Sequence, residues 1–391
     1  MPEQATQYPV DARALTRRLV AIDSTDPGAF EGGVAGYLQG WFAAHGLPCQ
    51  SSEVLPGRCN LRAVVAGKPV GGAPLPPLAF ICHMDTVPVN EGWRHEPFGA
   101  AVEDELLYGR GACDMKAGLA CALSALYQAA RRGGGARALS LICTVDEEDR
   151  MRGAEKALAD GWIAKDTLLL DAEPTDGCIQ VSHKGRVWVA LTCTGQAAHA
   201  SMPWQGADAV AGMAEAICRM RRAVSLLPTH RELGETTITF GRIDGGEQPY
   251  AVPGACTVWL DIRPVPPTDL DALLASLRFA TEQAAAEVPG VRFSWQVTGN
   301  RPAIQKDDRS PLLHALRAAV LEATGVPPRV TPFTGYTDTA VAASALGSIN
   351  CMSYGPGSLR QAHKPDEYVP LDDIQRCEAV FWTLTRQLLA L

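Results

Sequence analysis

The chain has 391 residues, 47% hydrophobic and 20% charged, which is more than one ordinary core organises, so two domains of a soluble globular protein are expected. Its formal net charge is −8, with the acids scattered, which argues against a nucleic-acid partner or an anionic membrane surface. No stretch reaches the roughly 20 apolar residues of a membrane span, the N-terminus lacks a secretory apolar core, and the 12 cysteines form no Cys-x-x-Cys pair, so a cytoplasmic protein with reduced core thiols is expected.

In chain order, residues 12–22 and 32–45 read as helices. "AVVAG" (63–67) and "LAFICH" (78–83) read as strands across the Gly/Pro-rich turn "GKPVGGAPLPP". "ELLYGRGA" (105–112) reads as a strand running into a glycine loop, and 115–131 as a helix stopped by Gly133, Gly134 and Gly135. "ALSLICTV" (138–145) and "TLLLDAE" (167–173) read as buried strands. Strands alternating with helices predict an α/β domain with a mainly parallel sheet. From residue 183 the order changes to strand, helix, two strands, helix, strand, which is the ferredoxin-like β-α-β-β-α-β unit. Alternation resumes with a helix over 310–323 and an apolar segment over 340–354. The expected plan is a catalytic domain of 1–182 and 298–391, with an inserted α+β lid over 183–297.

The apolar strand 78–83 ends in His83, with Asp85 two residues on. Residues i and i+2 of a strand share a face, and the carboxyl ends of parallel strands open into the crevice where α/β proteins place their sites. His83 suits a metal ligand and Asp85 its orienting partner, although a pair in this pattern, taken alone, is more often a hydrogen-bonded strand end. Asp114, on the glycine loop "GRGACDMKAG", is an N-cap by one reading and a ligand by another. Asp146, Glu147, Glu148 and Asp149 end the strand 138–145, and Asp171 and Glu173 end the strand 167–173. Four acids in a row usually mark a solvated turn, but at the exit of a buried strand they are not all comfortable without a cation. His363 lies on the loop "YGPGSLRQAHKPDEY". Carboxylates mixed with imidazole suit a pair of divalent ions.

These stretches, with "HMDTVP", "GQAAHASMP" and "DIRP", resemble the M20 family of dinuclear zinc amidohydrolases and peptidases over nearly the whole chain. The resemblance implies a zinc-hydrolase catalytic domain with a lid and dimerisation domain, holding two ions of zinc or cobalt. It implies that Asp114 bridges the metals, that His83 and Glu173 complete one and Glu148 and His363 the other, and that Glu147 is the general base. Asp85 would support His83. His199 would reach the partner subunit's active site and hold the developing oxyanion.

The implied activity is amide hydrolysis of an N-acyl amino acid, most nearly an N-acetylated basic one such as N-acetylornithine. The alternatives are a dipeptidase or carboxypeptidase, a desuccinylase, and more distantly a non-catalytic metal- or amino-acid-binding protein. The expected partners are the small-molecule substrate and a second copy of the chain through the lid. Arg263 in "DIRP" is expected to bind a substrate carboxylate, or else to pair with Asp261 or Glu235. Thr337 and Gly355 are expected to line the substrate pocket, and His199 has the alternative of a bond within its own module. His45, His95, His183, His230 and His314 read as surface or structural residues. Tyr250 stands where many relatives carry a substrate-contacting asparagine.

Overall fold

A computed structural model describes residues 7–68, 74–333 and 335–391 of the protein. Part of the Gly/Pro-rich turn, residues 69–73, lies outside the described residues. The chain forms two compact units, one of Met1–Val181, Lys306–Thr331 and Thr337–Leu391, the other of Ser182–Gln305 and Pro332–Tyr336. Each has its own apolar cluster.

In the first unit, the strands Leu139–Thr144, Leu78–His83, Leu168–Asp171 and Cys351–Ser353 lie side by side and parallel. They are the apolar runs of the sequence, and every residue in them is buried, as strands covered on both faces must be. Arg58–Val65 and Cys49–Leu55 extend this sheet antiparallel on one side, and Ile179–His183 pairs antiparallel with Cys351–Ser353 on the other. The sheet is thus mixed, with a parallel centre. Each central strand delivers its carboxyl end to one edge, and the register sets His83 opposite Thr144 and Ile81 opposite Asp171.

The helix Ala117–Arg131 lies against this centre on small residues, and a Cβ on Gly118 would come within 2.2 Å of the Ala172 carbonyl oxygen. The helix predicted from residue 115 starts two residues later. Asp114 and Met115 depart from helical dihedrals, and the Asp114 N–H is engaged by Glu367 instead of heading the helix. The strand expected at the start of 105–112 is Leu106–Tyr108, in a small three-stranded sheet, and the glycine loop follows it.

The second unit carries the ferredoxin-like order. Strands Arg186–Thr194, Thr237–Gly245, Ala255–Arg263 and Arg292–Arg301 form one antiparallel sheet, with Arg186–Thr194 and Ala255–Arg263 central. The last strand runs past residue 297. Along Arg186–Thr194 the burial alternates, and Val187, Val189, Leu191 and Cys193 share the covered face. Helices Ala209–Ser225 and Leu270–Glu287 belong to the same apolar cluster, and each opens on an aspartate, Asp208 or Asp269, that accepts backbone N–H bonds of the first turn. Among the described residues no helix is long and apolar enough to cross a membrane.

Candidate active site

The carboxyl edge of the parallel strands gathers His83, Asp114, Glu147 and Glu173, all buried, with Glu148 partly buried beside them, and His363 joins them from a loop. Asp114 stands in the middle. Its Oδ1 lies 3.1 Å from His83 Nε2 and its Oδ2 lies 3.5 Å from His363 Nε2. Glu173 Oε1 is 3.7 Å from the same His83 Nε2. Glu148 Oε2 is 3.1 Å from the same His363 Nε2. One donor atom each from His83, Asp114 and Glu148 lie within 4.8 Å of one another, and the same holds for His83, Glu147 and Glu173.

Local chain geometry explains why these side chains converge. His83 is the last residue of its strand, and its Nδ1–H donates to the backbone carbonyl of Asp85 at 2.9 Å. That bond puts the Nε2 lone pair toward Asp114 and Glu173. Asp85 therefore orients His83 chiefly through its main chain, because its carboxylate Oδ1 is 3.7 Å from Nδ1. Its Oδ2 instead accepts the Glu148 N–H at 2.9 Å, tying one strand exit to the next.

The four acids 146–149 divide by neighbour. Asp146, with a φ of 67°, accepts from Arg152 Nε at 2.6 Å, and Asp149 lies at the surface beside Arg150 and Arg152. Only Glu147 and Glu148 turn into the cluster. Arg58, paired with Glu31 and Asp26, lies 3.7 Å from Asp146 and supports the same turn.

The electrostatics follow from that crowding. Burial and neighbouring acids push Glu147 and Glu173 well above the ordinary carboxylate range. Burial raises Asp85 to about 7. Burial would also raise Asp114, but hydrogen bonds from His363 and His83 outweigh it and hold that carboxyl below the usual range. Hydrogen bonds to Asp114 and then Glu148 lift His363 to about 10. The buried oxygens Glu148 Oε1 and Asp85 Oδ1 have no hydrogen-bond partner among the described residues. Crowded acids, two imidazoles and orphaned oxygens fit a pair of divalent cations.

Sequence reasoning passed over several supporting groups. Glu367 accepts the N–H groups of Cys113 and Asp114, and Arg110 pairs with Glu367. Asp338 is buried, receives the Thr144 hydroxyl at 2.6 Å, and adds to the negative field on Glu147. Arg58 and Glu31 lie far upstream and nothing in their local sequence marks them.

Thr337 is 1% exposed, and its hydroxyl lies 2.8 Å from that of Thr339, which donates to Asp171 Oδ2 at 2.6 Å. Gly355 passes so close to the neighbouring strand exit that a Cβ would fall 2.1 Å from the Ala172 oxygen and 2.5 Å from that of Glu173. Both residues thus pack against the chain that carries Glu173.

In the second unit, Arg263 forks onto Asp261 through Nε at 2.6 Å and Nη2 at 2.9 Å, and Trp188 Nε1 donates to the same carboxylate. His199 sits on a two-residue strand paired with Ala251–Val252, exposed, with Nδ1 accepting the Ser201 N–H at 3.2 Å. Tyr250 is 63% exposed. Of the remaining histidines, His183 is buried, and His95 is stacked on Tyr108 with centroids 3.9 Å apart.

Comparison with known proteins bears on what this arrangement is. The profile described as Peptidase family M20/M25/M40 matches residues 79–387. The chain is 31% identical over 365 residues to an acetylornithine deacetylase of Vibrio vulnificus, covering 90% of this chain and 91% of that one. It is 29% identical over 383 residues to an acetylornithine deacetylase of Myxococcus xanthus, covering 94% and 95%. The structure of a tripeptidase from Staphylococcus aureus superposes with a TM-score of 0.79 at 21% identity, over 97% of this chain and 98% of that one. The profile match spans the strands and loops that bring His83, Asp114, Glu147, Glu148, Glu173 and His363 together, and the chain belongs to peptidase family M20/M25/M40, a metal-dependent hydrolase of amide bonds.

Proposed function

We propose that this enzyme removes the acyl group from an N-acyl amino acid, and that its preferred substrate is an N-acetylated basic amino acid such as N-acetylornithine. The observation that carries the reading is Asp114, set between two imidazoles with one oxygen toward each. A carboxylate so placed would be held in common by two ions. His83 and Glu173 would complete one, and Glu148 and His363 the other, zinc or cobalt being suited to this mixture of nitrogen and oxygen donors. Bound there, the ions lower the pKa of a shared water toward neutrality and polarise the amide carbonyl.

The chain's own groups supply the proton transfers. Glu147 takes the proton of the attacking water and returns it to the departing amine. Its acidic surroundings, with Glu148, Asp338 and Asp85 nearby, favour holding that proton. His199 Nδ1 is engaged by Ser201, 2.8 Å from its hydroxyl and 3.2 Å from its N–H, so Nε2 is the ring position we assign as donor to the developing oxyanion. The pair with Asp261 uses Nε and Nη2 of Arg263, and the same guanidinium is our candidate for a substrate carboxylate. Thr337 and Gly355 shape the pocket wall by fixing the Glu173 strand exit.

The names of the relatives favour a deacetylase over the dipeptidase, carboxypeptidase and desuccinylase alternatives. We further propose that residues 183–297 act as a lid, that the chain forms a homodimer through this unit, and that it resides in the cytoplasm. Leu226 and Phe279, 84% and 62% exposed on that unit, support the dimer, and the 12 free cysteines support a reducing compartment.

The test is amine release from metal-stripped protein reconstituted with Zn²⁺, offered N-acetylornithine, other N-acetyl amino acids, N-succinyl-diaminopimelate and several dipeptides. Turnover confined to acetylated amino acids is expected. Turnover confined to dipeptides would replace the deacetylase with a peptidase.

A further inference from the structure

One buried ion pair near the cluster is used by none of the chemistry above. Arg110 and Glu367 are each 1% exposed, and Arg110 Nη1 donates to Glu367 Oε2 at 2.6 Å. The other oxygen of Glu367 accepts two main-chain N–H groups, from Cys113 at 2.9 Å and Asp114 at 3.1 Å. Its carbonyl accepts the Gly109 N–H at 2.9 Å. Arg110 reaches the other way. Its Nη2 donates to the Pro88 carbonyl at 3.2 Å and to Asn90 Oδ1 at 3.1 Å, and its guanidinium lies 5.2 Å from the Trp93 ring centre. Asn90 in turn donates from Nδ2 to the His363 carbonyl at 3.2 Å.

Three segments are thereby fastened to one ion pair: 88–93, 109–114, and 363–367. Two of them carry Asp114 and His363, which are 249 residues apart in sequence and face each other at 3.5 Å. His363 itself is half exposed on a loop, and apart from its Nε2 contacts to Asp114 and Glu148 its place is set by the backbone that carries it. A buried ion pair is weak support for stability, since apolar residues of the same volume often do as well. A role in register is a better account of its presence.

We propose that Arg110 and Glu367 are positioning residues that set the separation of Asp114 and His363, and so govern retention of the ion shared by Asp114, Glu148 and His363 ahead of the ion shared with His83 and Glu173. This rests on the metal assignment above. Glu367→Gln keeps the shape of the side chain but turns the amide against Arg110 or against the two main-chain donors. Outer ligand partners typically tune metal affinity by about 10–100-fold.

The experiment is metal content per chain by elemental analysis during titration of the zinc-loaded enzyme with a chelator, alongside the far-ultraviolet circular dichroism melt. The wild type should release two ions. In Glu367→Gln one ion should leave at about 10-fold lower chelator or less, while the second leaves as in the wild type. The double variant Arg110→Met/Glu367→Met removes both charges and should melt near the wild type yet show the same early loss of one ion. Arg110→Lys, which keeps Glu367 charged but loses the fork to Pro88 and Asn90, should lie between. Should Glu367→Gln fail to fold, the other two variants decide the matter by the same readout. Two ions released as in the wild type by every folded variant would overturn the proposal, as would equal weakening of both. A wild type that binds no ion would instead defeat the metal assignment on which the proposal rests.

Discussion

Glu147 and Glu148 share a peptide bond but belong to different groups of donors, Glu147 with His83 and Glu173, and Glu148 with His83 and Asp114. The turn that carries them opens on Asp146, whose pairing with Arg152 keeps that acid out of the cluster. This division allows one neighbour to ligate while the other moves protons. Glu147→Ala should therefore keep both metals and lose about 10²–10⁴-fold in kcat, checked by elemental analysis beside steady-state kinetics. Loss of metal in that variant would move Glu147 into the ligand set. Asp85 shows how a residue can serve through its backbone. Its carbonyl fixes His83 and its carboxylate receives Glu148, so Asp85→Asn should preserve the His83 contact and disturb chiefly the Glu148 side. Chelator titration should then show one ion weakened more than the other.

At the scale of elements, the close fit between the helix Ala117–Arg131 and the exit of strand Leu168–Asp171 decides how well the cluster closes. Gly118→Ala would drive a Cβ to 2.2 Å from the Ala172 oxygen. The helix must then shift, at a cost of about 1–3 kcal/mol, read as a lowered urea midpoint with an unchanged slope. Leu78–His83, Leu139–Thr144 and Leu168–Asp171 were legible because each is a continuous apolar run bounded by turn residues, whereas the apolar segment 340–354 did not show that it divides into the end of the helix Asp338–Leu346 and the strand Cys351–Ser353. The ligands were legible because a carboxylate at the exit of a buried strand must offset its desolvation with a counter-charge. The second unit was legible from alternation and helical spacing in the order of a known supersecondary unit. Other elements escaped. The edge strand Cys49–Leu55 is polar and exposed, so no apolar period marks it. The short strand Ile179–His183 and helix Arg152–Ala159 are too brief to carry a period. The terminal helix Leu371–Leu389 does bury Ile374, Cys377, Val380, Phe381 and Leu384 at helical spacing, a signal present in the sequence but not drawn from it. Arg110, Glu367, Arg58 and Glu31 act only through contacts between distant segments, which one sequence does not display.

For the whole molecule, separate apolar clusters mean that heat need not unfold both units together. The candidate metal ligands all lie in the first unit. Chelation should lower one calorimetric transition and leave the other unmoved, removing about 2.7 kcal/mol of stabilisation for each ion at 100 times its Kd. Movement of both transitions would show that the units unfold as one. The second unit carries its own acid sensitivity. His183 is buried near the Phe333 and Tyr336 rings, and burial pulls it down to about 4. The unfolded chain then binds the extra proton, at an ordinary value of about 6.5. Stability is complete above that value and falls as pH drops from about 6.5 toward 4. His183→Gln should flatten this slope by up to about 1.4 kcal/mol per pH unit, measured by urea unfolding across that range.

The strand order also dictates a timetable for synthesis. Cys351–Ser353 lies between Leu168–Asp171 and Ile179–His183, so the central sheet has a vacant lane until that strand leaves the ribosome. The uninterrupted stretch Ser182–Gln305 of the second unit emerges well before then, and nascent domains generally fold as units in order of emergence. During that interval the acids gathered at the strand exits have been translated while His363 has not. A ribosome stalled near residue 340 would hold a nearly finished second unit tethered to a sheet still missing one of its inner strands.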